Sequence, residues 1–249
     1  MKASESNPNY PSKVREMTNY TIREIKKVCK DIGPRPSGEE NERKAQDYVA
    51  DSMSKVADSV VKEKFELHPK AFMGWVPLDV ILMTISVILT LLSYFDVLPS
   101  ASTAFSVVSV VLTSLAIIFT FFEFLLYKKF LDPFFPKRET YNVVCTRKAA
   151  GETKRRIVFS GHIDSAYEWY FTHLGGGKLL TTMIALAFGA IAITLAASIV
   201  SFFDVPNGVR VTAIVVLFVC LIPILMCSKF VNWKLCVPGA NDNLTGVFA

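Results

Sequence analysis

The chain of 249 residues is long enough for one large or two small domains, but 51% of its residues are hydrophobic and lie in blocks, which argues against an ordinary soluble protein. Its net charge of +5 comes mainly from Lys and Arg residues that border these blocks. The charge therefore does not indicate a nucleic-acid surface, and we expect no nucleic-acid partner. The five cysteines have no CxxC spacing and indicate neither a disulfide framework nor a cysteine zinc site.

The N-terminal residues predict a flexible segment followed by a helix. Residues 1–17 are rich in Ser, Asn, Pro and Lys and have no apolar periodicity, as a loose terminus would. From Thr18 onward, apolar residues recur at helical spacing as far as Gly33. A glycine in this position commonly follows the last turn of a helix, so we expect the helix to end there.

A proline-rich motif separates this helix from the next elements. The two prolines of GPRPSG exclude a helix within the motif. Ser37 precedes Glu40 by three residues, the spacing of a capping box, and apolar residues then recur along one face of a second helix. Residues 59–68 alternate between apolar and polar side chains and predict a half-buried strand.

Four apolar blocks are long enough to cross a bilayer, which takes about 20 helical residues. Short loops rich in turn residues join them in pairs, which predicts two transmembrane hairpins, residues 76–127 and 179–228. All Lys and Arg except Arg210 lie outside these hairpins or at their borders. By the positive-inside rule we expect an integral membrane protein with its polar segments on the cytoplasmic side. The blocks are residues 76–95, 104–127, 179–203 and 211–228.

The polar sequence between the hairpins predicts two more strands. YNVVCTR and RRIVFSG are separated by a loop that contains Gly151, so we expect them to pair as a β-hairpin. Helices and strands together indicate an α/β or α+β soluble domain that the membrane hairpins interrupt. Its expected parts are residues 18–70, 128–178 and 229–249.

His162 and Asp164 stand at the end of the second of these strands, in SGHIDS. Residues two apart in an extended chain point the same way, so the two side chains can lie together. One ring nitrogen could then ligate a metal while the carboxylate takes the proton of the other. A pair of this kind also arises easily by chance, and an ordinary surface or core histidine remains the alternative.

The segment VPGANDNLTG near residue 249 places Asn241, Asp242 and Asn243 between two glycines. An aspartate in such a loop could bridge two cations through its two oxygens. The alternative is an Asx turn that caps a helix beginning near Leu244.

Four motifs in order resemble the zinc-dependent aminopeptidases of metallopeptidase family twenty-eight: GPRPSG before an amphipathic helix, YNVV, SGHIDS and GANDNLTG. The resemblance covers residues 18–67, 141–165 and 237–249. It implies an α/β aminopeptidase-like fold with a mixed sheet of the phosphorylase/hydrolase type, incomplete here and interrupted by four transmembrane helices in two hairpins.

The resemblance also implies roles for individual residues. His162 matches a ligand of one zinc ion, Asp242 matches the aspartate that bridges two zinc ions, and Asp164 matches the carboxylate that orients the histidine. The substrate would be a peptide, hydrolysed at its N-terminal bond by a water that the zinc activates. The family's general base, within a Glu-Glu pair, and its remaining Asp and His ligands have no counterpart in these residues.

Two protein ligands do not complete a catalytic zinc site, which normally has three. We therefore expect the 249 residues alone to be inactive, as the N-terminal portion of a longer enzyme or as one member of an oligomer. The alternative function is a non-catalytic membrane scaffold or partner-binding protein that retains the fold. A transporter or channel is disfavoured because Asp79 and Glu123 lie near helix ends, where their side chains are expected to reach the membrane surface.

Overall fold

The computed structural model describes residues 9–248, which form two compact units, each assembled from separate stretches of the chain. Within the described residues, the first unit comprises residues 9–69, 137–167 and 233–248. The second comprises residues 70–136 and 168–232. The chain therefore leaves the first unit twice and returns to it twice.

Helices dominate the structure, and the strands are few. In chain order the helices and strands are α1 (Tyr10–Asp31), α2 (Glu40–Ser54), β1 (Ser59–Leu67), α3 (Ala71–Gly74), α4 (Val76–Tyr94), α5 (Ser102–Phe119), β2 (Arg138–Thr146), β3 (Tyr167–Trp169), α6 (Tyr170–Val200), α7 (Asn207–Met226), β4 (Val231–Cys236) and α8 (Thr245–Phe248). Short 3₁₀ turns occupy Pro99–Ala101, Asp132–Phe134 and Cys227–Lys229, and π turns occupy Thr120–Leu125 and Ala240–Leu244.

The described residues contain two sheets of two strands each. β1 pairs antiparallel with β2 along its whole length, from Ser59 opposite Thr146 to Leu67 opposite Arg138, and β3 pairs with β4. The chain is thus a mixed helix and strand protein, and the large mixed sheet of an α/β aminopeptidase fold is not confirmed.

The predicted hairpin between YNVVCTR and RRIVFSG is wrong. The first of these segments lies in β2 and pairs with β1, while residues 155–161 lie outside the strands. Ile157, Val158 and Phe159 are 74%, 80% and 91% exposed. Apolar alternation identifies a segment able to form a strand, but the choice of partner is a tertiary one, and β1 matches β2 over nine residue pairs.

α1 begins eight residues earlier than the periodicity predicts. The expected flexible terminus lies outside the described residues up to residue 8, but from Tyr10 onward the chain is helical. Pro11 lies in the first turn, where the missing N–H of proline is tolerated and its fixed φ angle favours the helix. At the other end, α1 stops at Asp31 and Gly33 has φ of 80°, as the sequence predicts for a terminating glycine.

The core of the first unit joins residues from opposite ends of the chain. Val28 of α1 is buried against Leu244 and Phe248, and Tyr48 and Ile163 pack against the same cluster. Burying large apolar side chains of this kind stabilises the folded state by about 1.5–3 kcal/mol each. The core therefore holds the GANDNLTG turn in place beside the SGHIDS segment.

The second unit contains four helices that are long and apolar enough to cross a membrane, as the sequence predicts. Their extents are Ala71–Tyr94, Pro99–Leu125, Tyr170–Val200 and Asn207–Lys229. α6 is interrupted at Gly175 and Gly176, whose backbone angles are not helical. Many outward-facing Ile, Leu, Val and Phe side chains are exposed, as a surface in contact with lipid would be.

Polar side chains in the second unit face inward. Hydroxyls of α4, α5 and α6 bond to one another at distances of 2.6–2.8 Å and are fully buried. This hydroxyl cluster comprises Ser86, Thr90, Ser109, Thr113 and Ser198.

Asp79 and Glu123 are buried as well, so the expectation that they reach the membrane surface is wrong. Near helix ends, hydrogen bonds from Thr120 to Asp79 and from the Leu131 N–H to Glu123 replace contact with water.

Candidate metal site

The first unit brings together the three site residues that the sequence predicts. His162 Nδ1 lies 3.1 Å from Asp164 Oδ1, and His162 Nε2 lies 3.0 Å from Asp242 Oδ1. The two aspartates are separated by 78 positions in the chain and meet on opposite sides of one ring. The side chains of His162 and Asp242 are 52% and 77% exposed, so the site is accessible from solvent.

An imidazole between two carboxylates poses a hydrogen-bonding problem. A neutral ring has one N–H and can donate to one of the two carboxylates only. If Nδ1 donates to Asp164, the lone pair of Nε2 faces an oxygen of Asp242, and two acceptors at 3.0 Å repel each other. A cation shared by Nε2 and Oδ1, or a second proton on the ring or on Asp242, would remove this repulsion.

The SGHIDS segment presents alternate residues to opposite sides, although it is not part of a sheet. Ile163 packs on the core, and Ser165 is 3% exposed. His162 precedes Ile163, and Asp164 lies between Ile163 and Ser165. Both face the accessible side and contact each other. The sequence expectation that residues two apart share one side is confirmed, while the predicted strand that was to carry them is absent from this segment.

Arg35, the central residue of GPRPSG, connects the segments that carry the site. Its side chain is fully buried and donates hydrogen bonds to the carbonyls of Gly33, Ile163 and Gly239, at 2.8, 2.7 and 3.3 Å. Its backbone exchanges two further bonds with Ser165. Burial lowers the pKa of the guanidinium, which nevertheless stays a cation because arginine side chains are not deprotonated in proteins.

The turn that carries Asp242 depends on two local features. Gly239 has φ of 62°, and a Cβ there would lie 2.6 Å from Ser165 Cβ and 2.8 Å from Arg35 Nη2, so only glycine fits. Asn243 accepts a hydrogen bond from the Gly246 N–H at 3.2 Å and so caps α8. The capping alternative thus applies to Asn243, while the neighbouring Asp242 faces His162.

The predicted capping box at Ser37 is wrong. α2 begins at Glu40 after Glu39, which makes no side-chain capping bond. Ser37 instead donates to Asp164 Oδ2 at 2.6 Å, which positions the carboxylate opposite His162. The partner of this hydroxyl lies 127 residues away in the chain, so spacing alone does not reveal it.

The buried side chain of Glu42 holds the GPRPSG motif by hydrogen bonds. Glu42 Oε2 accepts hydrogen bonds from the Gly38 N–H and from Thr140 Oγ1, both at 2.7 Å, and Gln46 donates to Thr140. Burial raises the pKa of the Glu42 carboxyl, whereas these two hydrogen bonds lower it. Glu42 thereby links α2 and β2 to the motif without touching His162.

The residues of the site fit part of a zinc centre. Two ligands of a tetrahedral zinc ion, each about 2.0–2.1 Å from the metal, stand about 3.3 Å apart, close to the 3.0 Å between Nε2 and Oδ1. Asp164 binds the other ring nitrogen, as the partners of metal-bound histidines usually do. Within residues 9–248, no group of three or more His, Cys, Asp or Glu side chains is arranged to hold a metal.

Comparisons of the chain with protein-family models, with curated proteins and with solved structures found no match. The resemblance to metallopeptidase family twenty-eight therefore depends on the four motifs, and the conclusions below depend on the geometry of the site.

Sequence reasoning missed Arg35 and the true roles of Ser37 and Glu42. One signal was present: an arginine between two prolines sits in an extended backbone, which suits a long side chain that reaches across to other segments. Its three carbonyl partners could not have been named, because two of them lie more than 120 residues away in the chain.

Proposed function

We propose that this chain forms part of a membrane-integral zinc-dependent aminopeptidase, which hydrolyses N-terminal peptide bonds. The observation that carries the proposal is the position of His162 between Asp164 and Asp242. A cation shared by Nε2 and Oδ1 resolves the conflict between the two acceptors, and an imidazole with a carboxylate is a donor set that zinc favours.

The residues of the chain have separate tasks in this proposal. His162 and Asp242 hold a zinc ion, and the exposed carboxylate of Asp242 can extend to a second ion. Asp164 accepts the Nδ1 proton and keeps the ring oriented, while Ser37 and Arg35 hold Asp164 and its segment. Zinc bound there would supply an activated water and polarise the substrate carbonyl. The general base and further ligands would come from outside these residues.

We propose that the four apolar helices anchor this site to a membrane, with the polar segments on the cytoplasmic side. The distribution of Lys and Arg supports this orientation. Labelling of Cys29 and Cys145 in right-side-out membrane vesicles tests it: a membrane-impermeant maleimide should react only after the vesicles are opened. Reaction in sealed vesicles would refute the cytoplasmic assignment.

Zinc binding is the direct test of the site. The cysteines of the detergent-solubilised protein are first alkylated, so that thiols cannot bind the metal, and zinc is then titrated in a calorimeter. We expect binding that His162→Ala and Asp242→Asn abolish. Asp164→Asn should weaken it by about 10–100-fold, as loss of a carboxylate that orients a metal-bound histidine typically does.

His173→Ala is the matched control, since His173 is also an exposed histidine beside a carboxylate, 3.4 Å from Glu168, but it lies in the second unit. It should leave zinc binding unchanged. If the wild-type protein binds no zinc, the proposal fails.

The peptidase step needs the protein expressed from its native gene. We expect the product of that gene to release the N-terminal residue of a chromogenic peptide in the presence of zinc. A product that binds zinc but releases no residue from the peptide would favour the scaffold function instead.

A further inference from the structure

The second unit contains an apolar cavity that the proposed peptidase does not use. Side chains of α4, α6, α7 and the Thr120–Leu125 turn line it, among them Met83, Phe188 and Ile224. Its volume is about 80 Å³, and it is partly open to the surroundings of the unit. That is room for a group about as large as two or three water molecules of ~30 Å³ each, with the remainder of a longer molecule outside.

Asp79 is the acidic residue among those that line this cavity. The residue is 7% exposed, and Thr120 Oγ1 donates to its Oδ2 at 2.8 Å. Oδ1 is buried and has no hydrogen-bond partner within the part of the chain that the structure describes. A buried carboxyl oxygen without a partner is unfavourable, so a ligand that donates a hydrogen bond to it would be favoured over one that cannot.

Of the two buried acidic residues in the membrane helices, Asp79 has such an oxygen and Glu123 does not. Glu123 is 5% exposed, and its Oε1 accepts a hydrogen bond from the Leu131 N–H at 2.5 Å. The fold thus satisfies one buried carboxyl with its own backbone. It leaves one oxygen of Asp79, a residue that lines the cavity, without such a partner.

The chemistry of the cavity defines its ligand. The lining is almost entirely apolar, which favours a hydrocarbon chain, and Asp79 requires a hydrogen-bond donor at one end. A hydroxyl is both donor and acceptor and pairs with either protonation state of the carboxyl, whereas an ammonium group pairs only with the ionised one. A neutral pair also avoids burying two charges.

We propose that this cavity binds a single-chain membrane lipid with a hydroxyl head group, and that Asp79 Oδ1 accepts the hydrogen bond from the hydroxyl. The head group and the first methylenes occupy the cavity, and the chain passes out where the cavity is open. Binding of this kind is independent of zinc and of the site in the first unit.

A pair of matched probes tests the proposal in phosphatidylcholine vesicles that contain the protein. One is a hexadecanol with a photoreactive diazirine beside its head group, and the other is its methyl ether, which has the same chain but no donor. We expect the alcohol to label peptides that contain Met83, Phe188 or Ile224, at about five- to tenfold lower concentration than the ether, the effect of one hydrogen bond.

Substitutions separate the hydrogen bond from the cavity itself. Asp79→Leu should remove the preference for the alcohol, while Asp79→Asn, which retains an acceptor oxygen, should keep most of it. Glu123→Gln is the control and should not change it. Equal labelling by both probes on the wild-type protein, labelling spread over the outer faces of the helices, or a preference that survives in Asp79→Leu would each overturn the proposal.

Discussion

The two units of this protein treat their polar side chains in opposite ways. In the first unit, polar groups from three distant segments surround an accessible imidazole, and one buried arginine bonds to the backbone of these segments. In the second unit, small hydroxyls on neighbouring helices satisfy one another inside an apolar bundle. The first arrangement leaves side chains able to bind something else, whereas the second uses their hydrogen bonds for packing.

This difference has a physical origin. A unit in water can leave a carboxylate partly exposed, since water solvates whatever the protein does not. A helix bundle in lipid has no water around it to solvate polar groups, so these groups must find partners within the bundle. An unpartnered polar atom therefore has more meaning in the second unit, where Asp79 Oδ1 is such an atom, than on the surface of the first.

The cysteines allow the stability of each unit to be measured in the same sample. Cys29, Cys145 and Cys236 belong to the first unit, and Cys220 and Cys227 to the second. Pulse labelling of thiols at increasing urea concentration, read peptide by peptide in a mass spectrometer, gives an unfolding midpoint for each. A single midpoint for all five thiols would indicate that the units unfold together and would break the comparison.

The largest effect is expected for Arg35→Ala. The Gly239 carbonyl loses a charged donor in a buried hydrogen bond, and the Gly33 and Ile163 carbonyls lose one in part-buried bonds. The first unit should therefore be destabilised by about 3 kcal/mol. The midpoint of Cys236 labelling should fall while that of Cys220 stays in place. Zinc binding should weaken as well, because the segments that carry His162 and Asp242 lose their common support.

Arg23→Ala is the control, since the Arg23 side chain is 69% exposed and its loss should change stability by less than about 0.5 kcal/mol. An Arg35→Ala protein as stable as the Arg23→Ala protein would show that Arg35 does not hold the site together.

A smaller effect, dependent on pH, is expected at Glu42. Because burial raises its pKa, the folded first unit binds this proton more tightly than the unfolded chain. The stabilisation is present below the ordinary glutamate pKa of about 4.3 and is lost as the pH rises through the raised value. Over that window Glu42→Gln, which keeps an oxygen to accept from Gly38 and Thr140, should remove a decline of up to about 1.4 kcal/mol per pH unit.

Urea midpoints of the first-unit cysteines at a series of pH values measure this effect. Glu40→Gln is the control, because Glu40 is the exposed partner of Lys44 on the same helix. If wild type and Glu42→Gln have parallel profiles, the buried carboxyl does not control the pH dependence.

The smallest effect is expected in the second unit, for Ser86→Ala. Ser86 Oγ lies 2.6 Å from both Ser109 Oγ and Thr113 Oγ1, but hydrogen bonds between membrane helices average about 0.6 kcal/mol and reach about 1.7 kcal/mol at most. The midpoint of Cys220 labelling should fall slightly and that of Cys236 should not. Ser228→Ala, whose hydroxyl bonds only within its own turn, is the control. A loss above about 3 kcal/mol would mean that the hydroxyl cluster holds the bundle together.

Much of the site could be predicted from the sequence because its ligands are chemically specific. His162, Asp164 and Asp242 were identified from residue type and local spacing, and the structure places an oxygen of each aspartate within 3.1 Å of a ring nitrogen of His162. Arg35 and Ser37 were not, because arginine and serine occur in many roles and only their distant partners distinguish these two. Asn243 and Asp242 are adjacent and similar, yet one caps a helix and the other faces the histidine.

The sequence by itself determined the four membrane-length helices, because about 20 consecutive apolar residues have few other stable environments, and it determined the identity of the candidate ligands. The tertiary structure alone decided that β2 pairs with β1, that Ile157, Val158 and Phe159 stay exposed, and that Asp79 faces a cavity rather than the membrane surface. These outcomes depend on which segments compete for the same edge or the same apolar space. Such competition is settled by packing between distant residues and leaves no trace in local periodicity.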